Sequence, residues 1–408
     1  MQRRTAESAA PAHGVQVPFE DCYITPEAHR AAARVLTSGR LETGPERAGF
    51  ERDIAHLAGA RHAVAVASRT AALELALRSL RLDPDALVIV PALTFCGAVQ
   101  AVVHAGLQPV LVDVDPATGM PTPETVDAAV TAIGNVAAMV VVHWAGAPAD
   151  VTALADAARL DRSRVVEDAG HALGARRHGM PVGSGAAVCF SFSSAANLAI
   201  GQGGMVVTDD AERADWLRRA RGHGAITPGP RASRAVRSSG RYGDEEPGLN
   251  AEMDELHAAI GRAQLTHFPR WQHRRRQIAV RYDTAFGATS GVNLPHRPAT
   301  SGGRHAWRLY GLRLLPSSGV GREQLVATMA AAGIEGPGDL APMHRLPAFR
   351  DLCAVPTPGL PGADAYVEQV VYLPIHPRLS DQQVDHVSAA VRAAVALFGG
   401  ARPLPLGR

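Results

Sequence analysis

Apolar and polar positions along residues 60–210 follow a pattern typical of a parallel sheet covered by helices. Short runs rich in valine and isoleucine are separated by longer segments whose apolar residues recur at helical spacing. Seven of these runs are predicted to be strands, and they span residues 63–67, 87–91, 109–114, 139–143, 164–168, 187–192 and 204–209. The pattern therefore predicts a large α/β domain built on a mostly parallel, seven-stranded sheet.

The remaining segments predict a tail, a long loop and a second domain. Residues 1–20 are expected to form a flexible tail, because their start is basic and rich in small residues. The large domain is expected to span residues 21–270 and to carry a lid-like polar loop at 225–248. Residues 271–408 are expected to form a long helix and a smaller C-terminal α+β domain, with a strand near 307–315.

Composition narrows the class of protein. The chain has 408 residues, of which 46% are hydrophobic, and no apolar run approaches the roughly 20 residues needed to cross a bilayer. Because the N-terminus lacks the apolar core of a secretory signal, we expect a soluble, cytoplasmic protein. A net charge of +2 gives no concentrated basic face for nucleic acid. Neither a metal site nor a disulfide is predicted for the scattered cysteines, which are Cys22, Cys96, Cys189 and Cys353.

One further property of the composition restricts the chemistry. All 41 residues counted as lysine or arginine are arginines, so the chain contains no lysine. Lysine is the side chain that forms a Schiff base with a carbonyl compound. The chain therefore has no side chain able to form an internal Schiff base with a carbonyl cofactor.

Three strand ends carry unusual residues, and ligands of open α/β sheets bind at the carboxyl ends of strands. After the strand at 63–67, Ser68, Arg69 and Thr70 lead directly into a predicted helix. The free amides there could bind a phosphate, and the same residues could form an ordinary helix cap. The sequence leaves both interpretations open.

A pair of carboxylates ends the strand at 164–168. Glu167 and Asp168 are followed shortly by His171. A carboxylate at the end of a buried strand needs a positive partner, which could be a protonated pyridine nitrogen or the cation of a structural salt bridge. His171 could contact a cofactor ring or be an ordinary core residue.

The third unusual end follows the strand at 187–192. A dense polar turn leads to a glycine cluster that permits a tight excursion of the backbone, and such a turn between two buried strands favours a functional role. The turn contains Ser191, Ser193, Ser194 and Asn197, followed by Gly201, Gly203 and Gly204. Phe95, after the strand at 87–91, could stack on an aromatic cofactor or belong to the core.

The order and spacing of these segments carry a family resemblance over nearly the whole chain. The chain resembles the DegT/DnrJ/EryC1/StrS sugar aminotransferases, which are fold-type I pyridoxal-phosphate (PLP) enzymes. The segments that carry the resemblance are SGRLETGPERAGFERDIAHLAGARHAVAVAS, TAALELAL, VPALTF, PVLVDVDPATG, VEDAGHALGA, FSFSSAANLAIGQGGMVVTDD, GLNAEMDELHAAIGRAQL, PMHRLPAF and YLPIHPRLS.

The resemblance assigns residues to a cofactor site. It implies that Asp168 pairs with the pyridine nitrogen, that His171 lies beside the ring hydroxyl and that Phe95 stacks on the ring. The phosphate is expected at Arg69, Thr70, Ala71 and Ser191, with Asn250 reaching it from a partner subunit. Asn197 is expected to be a further cofactor-binding residue. A homodimer follows from this shared contact.

The resemblance also implies a reaction. An amino group would move from glutamate or glutamine, through the pyridoxamine form PMP, to a keto group of a nucleotide-linked sugar or a cyclitol. Such reactions are expected in natural-product or cell-surface sugar biosynthesis. His344 is a candidate for substrate contact and could equally be structural.

Three positions depart from the family pattern. Ala196 stands where the family has the lysine that forms the Schiff base. PLP is therefore expected to bind non-covalently or as an external aldimine, and the chain is expected to be inactive or impaired. Arg69 replaces a glycine and adds positive charge near the phosphate, and Glu252 replaces an arginine. The last two changes are expected to affect substrate recognition or the dimer contact.

Three explanations of Ala196 are open. The alanine could be an engineered replacement of a parent enzyme's lysine, which fits the retention of the other cofactor residues. The chain could instead be a natural lysine-free sugar dehydratase that uses PLP or PMP, although alanine cannot relay a proton as the histidine of the family's dehydratase branch does. It could also be a non-catalytic binding or regulatory protein on the same fold.

Overall fold

The structure, a computed structural model, describes residues 16–224, 246–297, 302–336, 338 and 340–399. Most of the loop predicted at 225–248 and most of the predicted N-terminal tail lie outside the described residues. No described helix is long and apolar enough to span a membrane. Within the same residues, no group of three or more His, Cys, Asp or Glu side chains is placed to bind a metal ion.

The large sheet contains the seven strands that the sequence predicts. The strands along this part of the chain are β1 (His62–Val66), β2 (Leu87–Pro91), β3 (Gln108–Val112), β4 (Ala138–Val142), β5 (Val165–Asp168), β6 (Arg176–Arg177), β7 (Met180–Pro181), β8 (Ala187–Ser191) and β9 (Gly204–Thr208). Strands β6 and β7 form a separate hairpin, and the others pair in the order β1-β9-β8-β5-β4-β2-β3. Strand β9 runs opposite to the other six strands of this sheet, so the predicted α/β fold with a mostly parallel sheet is confirmed.

Helices pack around this sheet, and several begin at caps that the sequence offers. The helices of the described residues are α1 (Pro26–Ser38), α2 (Pro45–Ala58), α3 (Arg69–Arg78), α4 (Cys96–His104), α5 (Pro123–Ile133), α6 (Val151–Ala157), α7 (Ala211–Ala220), α8 (Glu255–Leu265), α9 (Phe268–Phe286), α10 (Arg322–Ala331), α11 (Pro347–Arg350), α12 (Pro361–Gln369) and α13 (Asp381–Gly399). Thr25 caps α1, Ser68 caps α3, and Thr122 forms a capping box at α5. Each cap satisfies an amide that the first turn of a helix leaves unpaired.

A second sheet lies in the C-terminal part of the chain. Its strands β10 (Val292–Asn293), β11 (Tyr310–Leu314) and β12 (Val370–Leu373) pair antiparallel in that order. Residues of α9, α10 and α13 join it in one hydrophobic cluster. Val17, which the sequence assigns to the tail, is fully buried in this cluster and pairs with Ile334.

The sheet topology brings the three unusual strand ends to one edge. Strands β5 and β8 are adjacent and parallel. Strand β1 is separated from β8 only by the antiparallel β9, so β1 and β8 point the same way. The carboxyl ends of β1, β5 and β8 therefore share an edge, where a ligand site is expected.

Candidate active site

The two carboxylates at the end of β5 lie on opposite faces of the strand, as neighbouring strand residues do. Glu167 is buried among three partners, His143 at 3.0 Å and Arg177 and Arg162 at 3.3 Å each. Burial raises the pKa of Glu167, but the hydrogen bond with His143 and the nearby arginine charges lower it more, and the pKa lies below its ordinary value. Glu167 therefore forms the structural salt bridge that the sequence left open.

Asp168 faces the shared strand-end edge and is only 1% exposed. Its Oδ1 accepts a hydrogen bond from the Gly170 amide at 3.0 Å, whereas its Oδ2 has no hydrogen-bond partner among the described residues. Nη1 of Arg69 lies 3.7 Å from Oδ1. A buried carboxylate is costly without such a cation, so Asp168 finds its positive partner within the chain.

The Arg69 side chain runs from the first turn of α3 to Asp168. Its guanidinium carbon lies 4.7 Å from the centroid of the Phe95 ring, a distance at which a cation is attracted to an aromatic face. The side chain is 12% exposed. The placement of this arginine near a phosphate stays a prediction, and the structure shows its charged group against a carboxylate and an aromatic ring.

Because Gly170 has no side chain, the Arg69 side chain can pass close to its backbone. A Cβ atom at position 170 would lie 2.4 Å from Nη1 and 2.6 Å from Cδ of Arg69, closer than non-bonded atoms approach. Gly170 is not among the residues with positive φ, so the glycine provides space and not an unusual backbone conformation. The sequence gives no signal for this role, because it depends on the path of the arginine side chain.

The first turn of α3 uses Ser68 as a helix cap. Oγ of Ser68 accepts a hydrogen bond from the Ala71 amide at 3.1 Å. Thr70 packs against the start of α4, where a Cβ atom at Gly97 would lie 2.5 Å from its Oγ1. The cap interpretation thus holds for Ser68, and the assignment of the phosphate to this turn stays a prediction.

The polar turn after β8 carries the lysine-equivalent position. The amide of Ala196 donates to the carbonyl of Ser193 at 2.9 Å, and Oγ of Ser191 lies 3.4 Å from Oγ of Ser193. Gly201 and Gly203 have φ values of 101° and 157°, which other residues rarely adopt. These glycines permit the tight backbone excursion that the sequence predicts.

Position 196 presents a buried methyl group. A pocket of about 30 Å³ lies beside it, and Gln264, Trp271 and Arg275 contribute to its lining. The neighbouring Asn197 donates Nδ2 to a backbone carbonyl at 2.9 Å, and its Oδ1 has no hydrogen-bond partner among the described residues. The turn therefore offers amide and hydroxyl groups here, but no amine.

His171 is held neutral beside the site. Its ring lies 5.5 Å from that of Trp144, with the planes tilted by 55°. Burial lowers the pKa of His171 well below its usual value, and the charges of Arg308 and Arg69 lower it further. Its Nδ1 has no hydrogen-bond partner in the part of the chain that the structure describes. The neutral ring can therefore donate or accept one hydrogen bond toward a ligand.

Two predicted site residues, Asn250 and His344, make no hydrogen bond or ion pair with Arg69 or Asp168 among the described residues. Asn250 is exposed. His344 places Nε2 3.0 Å from Asp364, and its Nδ1 has no hydrogen-bond partner among the described residues. Within those residues, Asp168 is paired with Gly170 and Arg69 and with neither of these two side chains.

Glu252, the third departure from the family pattern, belongs to a network of ion pairs. Its Oε1 lies 2.8 Å from Nη1 of Arg47 and 3.8 Å from Nε of Arg221. Arg221 also pairs with Glu51 at 2.5 Å. The charge at position 252 is therefore balanced within a single chain, which the sequence does not reveal.

The fold, with polar groups gathered at three strand ends, defines a class of protein: it is the architecture of the fold-type I PLP-dependent aminotransferases. The chain belongs to the DegT/DnrJ/EryC1/StrS aminotransferase family, whose model matches residues 23–392. The predicted family is thus confirmed. Aminotransferases of this family use PLP and PMP.

Relatives with described roles match the chain over nearly its full length. The spore coat polysaccharide biosynthesis protein SpsC of Bacillus subtilis is 36% identical over 382 residues, which cover 93% of this chain and 97% of that protein. DesV of S. venezuelae, solved in complex with a ketimine intermediate, has a TM-score of 0.81 at 35% identity and covers 93% of this chain and 98% of its own. DesI, solved in the presence of its TDP-sugar product, has a TM-score of 0.78 at 30% identity over 91% of each chain.

The residues around Asp168 do not fit PLP in the manner that the resemblance implies. The unpaired Oδ2 of Asp168 would suit a protonated pyridine nitrogen. A ring held there would also have to stack on Phe95, and the guanidinium of Arg69 already contacts both groups. Ala196 adds no amine to hold the cofactor.

Proposed function

We propose that this chain is a non-catalytic member of the sugar aminotransferase family that binds a nucleotide-linked keto or amino sugar, or a related cyclitol. The observation that carries the proposal is the absence of lysine from the sequence, with Ala196 at the position that the resemblance assigns to the Schiff-base lysine. Without that amine, the chain lacks the nucleophile needed to move an amino group from glutamate or glutamine to a keto sugar.

Neighbouring residues do not supply the missing nucleophile. Arginine guanidinium groups stay protonated at neutral pH. Arg275 lines the pocket beside Ala196, and burial, together with the charge of Arg308, lowers its pKa to about 9. It is still a cation at pH 7, and it donates hydrogen bonds to the carbonyls of Trp307 and Ile375.

Sugar binding is the part of the family function that does not require lysine. DesI was solved with a TDP-sugar, and SpsC acts in the biosynthesis of a polysaccharide. We place this chain by analogy in natural-product or cell-surface sugar biosynthesis, as a binding or regulatory protein. His344, held by Asp364 at 3.0 Å, is the candidate for contact with the sugar.

A homodimer in the cytoplasm is part of the proposal. Asn250 is exposed and Phe95 is 54% exposed in the single chain, as expected of residues near the subunit contact that the resemblance implies. All four cysteines are free within the described residues, which is compatible with a reducing compartment.

Two measurements test the proposal. Calorimetric titration with TDP-linked keto and amino sugars should give saturable binding. Incubation of the same protein with PLP, glutamate and a keto sugar should give no amino sugar by mass spectrometry. Formation of amino sugar by the purified chain would overturn the non-catalytic assignment, and failure to bind either sugar would overturn the binding assignment.

A matched pair of variants tests the sugar contact. His344→Gln should weaken sugar binding about tenfold, as the loss of one hydrogen bond to a ligand does. Arg350→Gln changes an exposed residue on α11 and should leave the affinity unchanged. Equal affinities of the two variants would remove His344 from the proposed contact.

A further inference from the structure

We infer that the guanidinium of Arg69 takes the place of the cofactor's pyridine ring, so that the chain's own side chain closes the family's PLP pocket. The inference concerns this pocket alone, and it does not depend on the sugar binding proposed above. It follows from the contacts of one arginine and from the space left by one glycine.

The guanidinium makes the two contacts that would position the ring. The resemblance implies a ring stacked on Phe95 with its nitrogen at Asp168. In the structure, the guanidinium carbon is 4.7 Å from the Phe95 centroid, and Nη1 is 3.7 Å from Oδ1 of Asp168. A guanidinium is planar, cationic and able to stack on an aromatic face, as a protonated pyridine ring is. Arg69 therefore gives Asp168 a neighbouring cation and gives Phe95 a cationic partner without a cofactor, although Oδ2 of Asp168 keeps no hydrogen bond among the described residues.

The cationic pyridine ring of PLP cannot share Phe95 and Asp168 with the guanidinium of Arg69. Two planar groups cannot cover the same area of Phe95, and two cations beside one carboxylate repel each other in a poorly hydrated site. The Arg69 side chain is only 12% exposed, so PLP could bind in the family's manner only if this side chain moved out. Binding would then lose the cation–π contact and the ion pair.

Gly170 is the second observation that supports this arrangement. A Cβ atom there would lie 2.4 Å from Nη1 and 2.6 Å from Cδ of Arg69. The backbone at Gly170 is outside the positive-φ region, so alanine is allowed in conformation, and its Cβ atom would require the arginine side chain to shift. The arginine and the glycine are therefore two parts of one arrangement.

Titration of PLP, followed by absorbance and by equilibrium dialysis, tests the inference. The unchanged chain should bind PLP weakly. Arg69→Gly should raise the affinity about tenfold or more, the order of magnitude of one partly buried cation–π contact with its ion pair. Gly170→Ala keeps the arginine but displaces it, and the affinity for PLP should rise in the same direction.

The control is Arg322→Gly. Arg322 is the first residue of α10, as Arg69 is of α3, so this variant reproduces the effect of glycine at a helix start without touching the pocket. Its affinity for PLP should equal that of the unchanged chain. Circular dichroism checks the folding of each protein, and Gly170→Ala carries the test if Arg69→Gly does not fold. The inference is overturned if the folded pocket variants bind PLP no more tightly than the unchanged chain, whether that affinity is high or undetectable.

Discussion

The buried carboxylate of Asp168 lies beside the guanidinium of Arg69, and this pairing determines which ligands the pocket can bind. Nη1 of Arg69 lies 3.7 Å from Oδ1 of Asp168, and the guanidinium carbon lies over the ring of Phe95. A carboxylate that already has a cation beside it gains less from binding a second one. Retention of the aspartate therefore does not by itself imply retention of the cofactor.

Two buried histidines should make the protein sensitive to mild acid. Burial lowers the pKa of His305 to about 3 and that of His376 to about 4. The unfolded chain binds these protons near pH 6.5, whereas the folded chain binds them only near those lower values. The free energy of unfolding should therefore fall as the pH decreases from about 6.5 to 4, by up to roughly 1.4 kcal/mol per pH unit for each histidine. Urea denaturation across this pH range measures the slope.

A single substitution checks the origin of this slope. The ring of His305 accepts a hydrogen bond from the Trp307 amide at 2.8 Å, and the side-chain oxygen of asparagine can replace that acceptor without titrating. His305→Asn should therefore reduce the slope between pH 6.5 and 4. The control is His29→Asn, at an exposed position on α1. A slope in His305→Asn equal to that of the control would contradict the assignment.

The sequence indicates most of the residues that meet at this site. Arg69, Phe95 and Asp168 are all predicted site residues, and the structure brings their side chains together. The sequence shows which residues end a strand, because apolar runs mark the strands. It does not show the direction of a long side chain, so it predicts neither the placement of the Arg69 charge nor the role of Gly170.

At the scale of elements, one side chain joins helix α8 to two segments distant in sequence. Gln264 is fully buried. Its Nε2 donates to the carbonyls of Tyr23 and Ala199 at 2.9 Å each, and its Oε1 accepts from the Thr25 amide at 3.1 Å. It thereby fixes the polar turn that contains Ala196 against the start of α1.

Gln264→Leu should be strongly destabilising, because it leaves three backbone groups unpaired at a buried position. We expect the free energy of unfolding to fall by about 3 kcal/mol, measured by urea denaturation. The control is Gln277→Leu, at an exposed position on α9, which should change stability by no more than about 0.5 kcal/mol. Equal stability of the two variants would show that the Gln264 hydrogen bonds contribute little.

The elements differ in how well the sequence predicts them, for physical reasons. Strands of the large sheet are buried along their length, so they stand out as continuous apolar runs between helical patterns. Strands β6, β7 and β10 have two residues each, too few for a pattern. Strand β12 begins at Val370, directly after α12 ends at Gln369, so no turn residue separates the two elements.

At the scale of the whole molecule, the resemblance predicts an assembly of two chains. Asn250 and the half-exposed Phe95 would lie near the contact. Light scattering at micromolar concentration should give twice the chain mass of 42.8 kDa. A stable species of one chain mass that binds a TDP-sugar would contradict a shared site while preserving the proposed ligand.

Two separate features of the chain oppose covalent cofactor binding: the missing amine at position 196 and the arginine side chain in the pocket. Ala196→Lys supplies the only lysine in the chain, and Arg69→Gly removes the arginine side chain. An amine reacts efficiently only with an aldehyde that is held next to it. The two substitutions should therefore act together.

The most direct test is the intact mass of Ala196→Lys, Arg69→Gly and the double variant after incubation with PLP and reduction with borohydride. We predict that only the double variant gains one pyridoxyl group, and that peptide mapping places it at position 196 and not at the N-terminal amine. The account would be contradicted if Ala196→Lys alone were modified as completely as the double variant. It would also be contradicted if the double variant folded and stayed unmodified.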